Sequence, residues 1–181
     1  MKLLILNGSP RVKGNTKAAV DFFKKNVSEY RSDVEIEEIF VTGKDIEPCH
    51  NCNACQKNGG SCVVDKVTTD IISSVEAADF VLFASPVYWW GITAQLKLAV
   101  DKLYSKCSAL ASCKKKIGVI AVGGAGLEDR QYRLIREQFE CIADYLSWEL
   151  AFVKSFSAYE PGDIEKGGVL ESELSEIYKL I

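Results

Sequence analysis

Apolar and polar positions change their period along this chain in a regular order. KLLILNGS, residues 2–9, is a short apolar run closed by turn residues, which predicts a buried strand. TKAAVDFFKKNVSEY, 16–30, repeats apolar residues at Ala19, Phe23, Val27 and Tyr30, one face of a helix. VEIEEIFV, 34–41, is rich in β-branched residues and alternates in part, as an edge strand does. After a loop containing Pro48 and Gly59-Gly60 the order resumes. A helix is expected over 67–78, a strand over 79–88, and a helix over 92–104 with Ile92, Leu96, Val100 and Leu103 on one face. A strand follows over 115–124, then a helix over 127–148 with Ile135, Phe139, Ile142 and Leu146 in a stripe, then a strand over 149–158. Past the linker EPGDIEKGG, a helix is expected over 169–181. Strands alternating with helices require a parallel sheet covered on both faces. The expected fold is therefore α/β, a three-layer, doubly wound, parallel five-stranded sheet, forming one domain over 1–181 with a cysteine-rich loop at 48–62.

Composition narrows the classes without naming one. With 48% hydrophobic and 26% charged residues, the chain is an ordinary globular one rather than disordered or fibrous. A net charge of −3 speaks against a nucleic-acid partner, which calls for a concentrated basic face. The one basic run, Lys114-Lys115-Lys116, leads straight into an apolar strand. MKLLIL reaches Asn7 after four apolar residues, too few for the core of a secretory leader, and no run approaches membrane-spanning length. The expected location is the cytoplasm, with no membrane partner. Seven cysteines is an odd number, and a reducing compartment disfavours structural disulfides.

Doubly wound sheets bind ligands beyond the carboxyl ends of their strands. The first such end reads NGSPRVKGNT, 7–16. It is neither a Walker A loop nor GxGxxG. It offers Ser9, Asn15 and Thr16 around a helix start, where free N–H groups and the helix dipole favour an anion, and Arg11 can add a charge-assisted bond. The plain alternative is a turn with Asn15 or Thr16 as N-cap. The loop SPVYWWG, 85–91, is apolar, with Pro86 and Gly91 shaping the backbone. Its Tyr88, Trp89 and Trp90 could pack on an aromatic ring system, or serve as core or subunit contacts.

These segments resemble a known group. GSPRVKGNT is similar to the FMN-phosphate loop of the flavodoxin-like NAD(P)H-dependent FMN reductases. SPVYWWGITAQLKLAVDKL, 85–103, resembles their second flavin loop, and VGGAG, 122–126, their third. The resemblance runs from residue 1 to about 155. It implies strand order 2-1-3-4-5 and non-covalent FMN. It also implies a flavin-binding set of Ser9, Arg11, Asn15, Thr16, Pro86, Val87, Tyr88, Trp89, Gly123 and Gly124, with the backbone from Pro86 to Tyr88 along the isoalloxazine edge. The group's dimers and tetramers, together with the aromatic loop, imply a homo-oligomer.

PCHNCNACQKNGGSC, 48–62, places Cys49, Cys52, Cys55 and Cys62 at C-x₂-C-x₂-C-x₆-C. Closely spaced loop thiolates suit an iron–sulfur cluster, and the first three match the opening of a bacterial ferredoxin run, although the fourth comes later and lacks the following Pro. A third cysteine crowds the first pair for tetrahedral zinc. A thioredoxin-like pair normally opens a helix, and a haem signature needs His after the second cysteine, whereas His50 precedes it. Unligated loop thiols remain the plain alternative. The iron–sulfur flavoprotein branch of the same reductases is similar in this region. There four cysteines hold a 4Fe-4S cluster, which implies Cys49, Cys52, Cys55 and Cys62 as ligands. Asn51 stands where that branch often has Gly, and an acidic pair after the last cysteine is reduced to Asp65 beside Lys66.

The expected function is a flavin oxidoreductase passing electrons through FMN, coupled to a 4Fe-4S cluster, with NAD(P)H or ferredoxin as donor and no acid–base catalytic residue. Two alternatives stand beside it: a cluster-free NAD(P)H-dependent FMN or quinone reductase, and a flavodoxin-type carrier that exchanges electrons with small-molecule or redox-protein partners.

Overall fold

The computed structural model describes residues 1–181. Its strands are β1 (Lys2–Asn7), β2 (Glu35–Phe40), β3 (Phe80–Pro86), β4 (Lys116–Gly123) and β5 (Glu149–Ser157). All neighbours pair in parallel, in the order β2-β1-β3-β4-β5, as expected. The order reverses between β1 and β3, and ligands of such sheets bind beyond the strand ends at that switch point.

Strand alternation divides the core. Leu3 and Ile5 of β1, with Phe80 and Leu82 of β3, pack on one face against Phe23 and Val27 of α1 (Asn15–Tyr30) and Leu170 and Leu174 of α6 (Val169–Leu174). Leu4, Leu6, Val81 and Phe83 point the other way. They meet Ile72 of α2 (Lys66–Ala77), Leu96 of α3 (Ala94–Asp101), Leu110 of α4 (Cys107–Ser112) and Phe139 of α5 (Arg130–Leu146). Phe23 and Phe139 are fully buried, so truncating either to Ala would cost about 3–5 kcal/mol. No helix is long and apolar enough to cross a membrane.

Three boundaries differ from the pattern reading by more than two residues. The helix expected over 92–104 ends at Asp101 and continues as a 3-10 turn, Lys102–Lys106, before α4. This break lets Leu103 and Leu110 both reach the core while the buried Lys102 turns towards Asp65. The closing helix stops at Leu174, and a 3-10 turn, Ile177–Leu180, then buries Ile177. The fifth helix starts at Arg130, where the Asp129 carboxylate accepts from Gln131 N.

Candidate functional site

Backbone hydrogen bonds tie the loops at the carboxyl edge of the sheet together. Gly8 N donates to Ala84 O at 2.8 Å, Val87 N to Val122 O at 2.8 Å and Ala158 N to Gly123 O at 2.8 Å. Thr93 adds a side-chain link. Its hydroxyl donates to Gly8 O at 2.9 Å and accepts from Leu96 N at 3.3 Å, capping α3, while its N donates to Ser85 Oγ at 2.9 Å. Gly8 must lack a side chain, because a Cβ would stand 2.8 Å from Leu96 Cβ and from Thr93 Oγ1.

Between these loops lies a cleft of about 140 Å³. Nine of the ten residues expected at the flavin line it: Ser9, Arg11, Asn15, Thr16, Pro86, Val87, Tyr88, Gly123 and Gly124. Trp89 does not, and is 91% exposed. At this size the cleft is smaller than sites that enclose a whole cofactor, so a ligand held there extends to the surface.

The N-cap of α1 is Gly14, and neither Asn15 nor Thr16 caps the helix with its side chain. The start of α1 therefore has no side-chain acceptor for its first-turn N–H groups, and Gly14, Asn15 and Thr16 line the cleft, an arrangement that favours a bound anion. The Asn15 amide instead clamps the loop after β5, donating to Glu160 O at 2.9 Å and accepting from Gly162 N at 2.9 Å. That loop brings Tyr159 to the cleft, a lining residue the sequence reading did not include. Its ring lies so close to Gly124 that a Cβ there would stand 2.8 Å from Tyr159 Cδ2. The position beyond a strand's carboxyl end was a signal for this loop; the clamp was not legible, because it joins residues nearly the whole chain apart. Nearby, the Tyr132 hydroxyl donates to Ala125 O at 2.9 Å, and burial raises its pKa, keeping it protonated.

Trp89 and Trp90 form the tip of a tight turn. Tyr88 N donates to Gly91 O at 2.9 Å and Gly91 N to Tyr88 O at 3.1 Å. Both tryptophans have positive φ, 45° and 61°, as in a type I′ hairpin turn that usually takes Asn-Gly.

The cysteine loop follows β2. Cys49, Cys52, Cys55 and Cys62 all line one small cavity of about 20 Å³, and none is in a disulfide. The chain coils through positive φ at Asn51 (52°) and Asn53 (56°), so Asn51 supplies the left-handed turn that Gly would. Gln56 Nε2 reaches Cys55 Sγ at 3.7 Å, and Lys102 Nζ donates to Cys62 Sγ at 3.3 Å. No three His, Cys, Asp or Glu side chains are grouped to hold a metal ion. The four thiols thus share one small cavity but are not gathered around a metal centre.

Asp65 caps α2, its carboxylate accepting from Thr68 N at 2.5 Å, and pairs with Lys102 at 3.0 Å. Burial works to raise the Asp65 carboxyl, but bonds from Thr68 and Lys102 outweigh it and lower the pKa. Burial likewise works to discharge Lys102, but its bonds to Asp65 and Cys62 prevail and raise it. The Cys62 thiol is pushed up by burial, yet the N–H groups of Asp65 and Val64 and the Lys102 ammonium bring it below its ordinary value.

A larger cavity, about 490 Å³, lies between α3, α4 and α5. Its lining is mostly apolar and it is away from the strand ends, so the smaller polar cleft is the better candidate site.

A family model described as NADPH-dependent FMN reductase matches residues 1–138. An iron–sulfur flavoprotein of Methanocaldococcus jannaschii is 33% identical over 125 residues, spanning 69% of this chain and 63% of that protein, less than two thirds of its length. A Bacillus subtilis protein described as an NAD(P)H-dependent FMN-containing oxidoreductase is 27% identical over 186 residues, 99% of this chain and 97% of the relative. Among solved structures, an FMN-dependent NADH-azoreductase of Bacillus anthracis in complex with FMN superposes with a TM-score of 0.74, covering 99% of this chain and 98% of that one at 14% identity. That likeness is one of fold.

Proposed function

The chain belongs to the NADPH-dependent FMN reductase family, and from that premise we propose that it is a flavin oxidoreductase whose FMN is paired with a 4Fe-4S cluster. The observation that carries the flavin reading is the cleft itself, where the uncapped start of α1 meets three loops stitched together by their backbones. When bound, FMN supplies a carrier that takes electrons in pairs and releases them singly, and the cluster supplies a one-electron store.

The chain's own residues hold and orient. Free N–H groups of α1, the Thr16 hydroxyl and the Arg11 guanidinium suit the phosphate, while the Ser9 hydroxyl shapes the loop, donating to Arg11 O and accepting from Arg11 N at 3.2 Å each. Asn15 acts one step back by fixing the loop that carries Tyr159. The backbone of Pro86, Val87, Gly123 and Gly124 walls the cleft, and Tyr88 and Tyr159 give its mouth aromatic surface. The open mouth leaves room for NAD(P)H to stack, and ferredoxin is the alternative donor. Cys49, Cys52, Cys55 and Cys62 would hold the cluster in a reducing cytoplasm. Tyr88, Trp89 and Trp90, all exposed, suit the interface of a homodimer or homotetramer.

A second reading, a cluster-free NAD(P)H-dependent FMN or quinone reductase, has in its favour the absence of a grouped metal-ion site. Steady-state oxidation of NAD(P)H with a quinone acceptor, using anaerobically purified protein, tests the enzyme itself. Flavin-dependent turnover is expected. Tightly bound FMN without turnover would leave a one-electron carrier instead.

A further inference from the structure

The loop after β5 is held more tightly than its place on the surface requires. Ala158 and Ile164, both buried, root it in the core at either end. Between them the Asp163 carboxylate accepts from Tyr159 N at 3.2 Å and from Glu160 N at 2.7 Å. Gly162, in the left-handed region at φ 86°, turns its N–H to Asn15 Oδ1 at 2.9 Å, and Asn15 Nδ2 donates to Glu160 O at 2.9 Å. One amide in the first turn of α1 thus holds a loop 145 residues further along the chain. The side chain that this framework carries is not used by the core. Tyr159 is 76% exposed, yet it lines the flavin cleft opposite Ser9, Arg11 and Thr16. Its ring lies against the β4 loop at Gly124, where a Cβ would stand 2.8 Å from Tyr159 Cδ2. The result is a fixed backbone presenting an open aromatic ring at the edge of the cleft.

We propose that Tyr159 is a further flavin-contacting residue that retains FMN in the cleft, and that Asn15 is the positioning residue that holds Tyr159 there. The inference rests on the flavin reading given above and needs no cluster. The cleft, at about 140 Å³, encloses only part of a cofactor, so retention falls to the residues at its edge. An aromatic ring there covers cofactor surface that would otherwise face water. The loop is already fixed before anything binds, so little conformational freedom is lost when the ring makes its contact. Release requires that contact to break, whereas arrival does not require it to form first. Tyr159 therefore acts on the rate at which FMN leaves more than on the rate at which it arrives. Gly124 belongs to the same arrangement, because a side chain there would displace the ring.

The test is stopped-flow measurement of FMN association and dissociation by flavin fluorescence, with a thermal melt of each protein. It uses the full chain, Tyr159→Phe, Tyr159→Ala, Asn15→Leu and the double variant Asn15→Leu with Tyr159→Ala. Tyr159→Ala, at an exposed position that the core does not use, should melt as the unsubstituted chain does. It is expected to release FMN roughly tenfold faster, with association changed by less than about threefold. Tyr159→Phe keeps the ring and should release FMN at close to the original rate. Asn15→Leu frees the loop and should also speed release. The double variant should release FMN no faster than Tyr159→Ala alone, because Asn15 acts through Tyr159. Should Asn15→Leu not fold, Gly162→Ala, which strains the same turn away from α1, takes its place in the cycle. An unchanged dissociation rate in Tyr159→Ala overturns the inference, as does a Tyr159→Phe variant that releases FMN as fast as Tyr159→Ala. Effects of Asn15→Leu and Tyr159→Ala that multiply in the double variant overturn the role of Asn15. Absence of FMN binding by the unsubstituted chain would overturn the flavin reading itself, and is seen before any variant is measured.

Discussion

Thr16 and Asn15 are neighbours at the same helix start and have different work. Thr16 is 2% exposed and lines the cleft beside Ser9, while the Asn15 amide is taken up by Glu160 and Gly162. Residue types in the sequence placed both at an anion site, and chemistry alone could not separate them, because the loop that occupies Asn15 comes from the far end of the chain. Hydrogen bonds to a charged group contribute about 1.5–3 kcal/mol each. Ser9→Ala with Thr16→Val should therefore weaken FMN binding at least tenfold without unfolding the protein, read by flavin fluorescence titration and thermal melting. Unchanged affinity would move the phosphate elsewhere. Lys102 marks the limit of residue-level reading. In the sequence it falls within an apparently continuous amphipathic helix, and only its burial against Asp65 and Cys62 distinguishes it.

At the scale of elements, hydrophobic period located every strand and most helices, because each buries a face that must repeat with its own geometry. It ran α3 through Lys102 to Tyr104, since Leu103 keeps the helical spacing and the change to a 3-10 turn alters no apolar position. Spacing also cannot report φ, so the Trp89-Trp90 turn was visible only as an aromatic loop. Two bulky residues in the left-handed region cost about 1–2 kcal/mol each, and such strain concentrates at functional sites. Exchanging the pair for Asn-Gly should raise the melting temperature by a few degrees, at about 2–4 °C per kcal/mol for a domain of this size, and should lower turnover or assembly. A lower melting temperature would show that the turn is not strained in the intact protein.

For the whole molecule, the strand order is the one the family resemblance implies, the switch-point rule places a ligand beyond the strand ends, and the three loops the sequence singled out meet there with a fourth, after β5, that it did not. Assembly is a separate expectation. Tyr88, Trp89 and Trp90 are 46%, 91% and 52% exposed in the single chain, too much aromatic surface to leave in water. Light scattering at micromolar concentration should give a dimer or tetramer, and a monomer with both tryptophans open to quencher would refute it. The central claim joins that flavin cleft to the cysteine loop. Its most direct test is to reconstitute the protein anaerobically with iron and sulfide and count FMN, iron and sulfide per chain, for the unsubstituted protein and for Cys55→Ser. The account predicts one FMN with about four irons and about four sulfides, and loss of the iron and sulfide but not the FMN in the variant. Stoichiometric zinc, or FMN with no metal at all under those conditions, would contradict it.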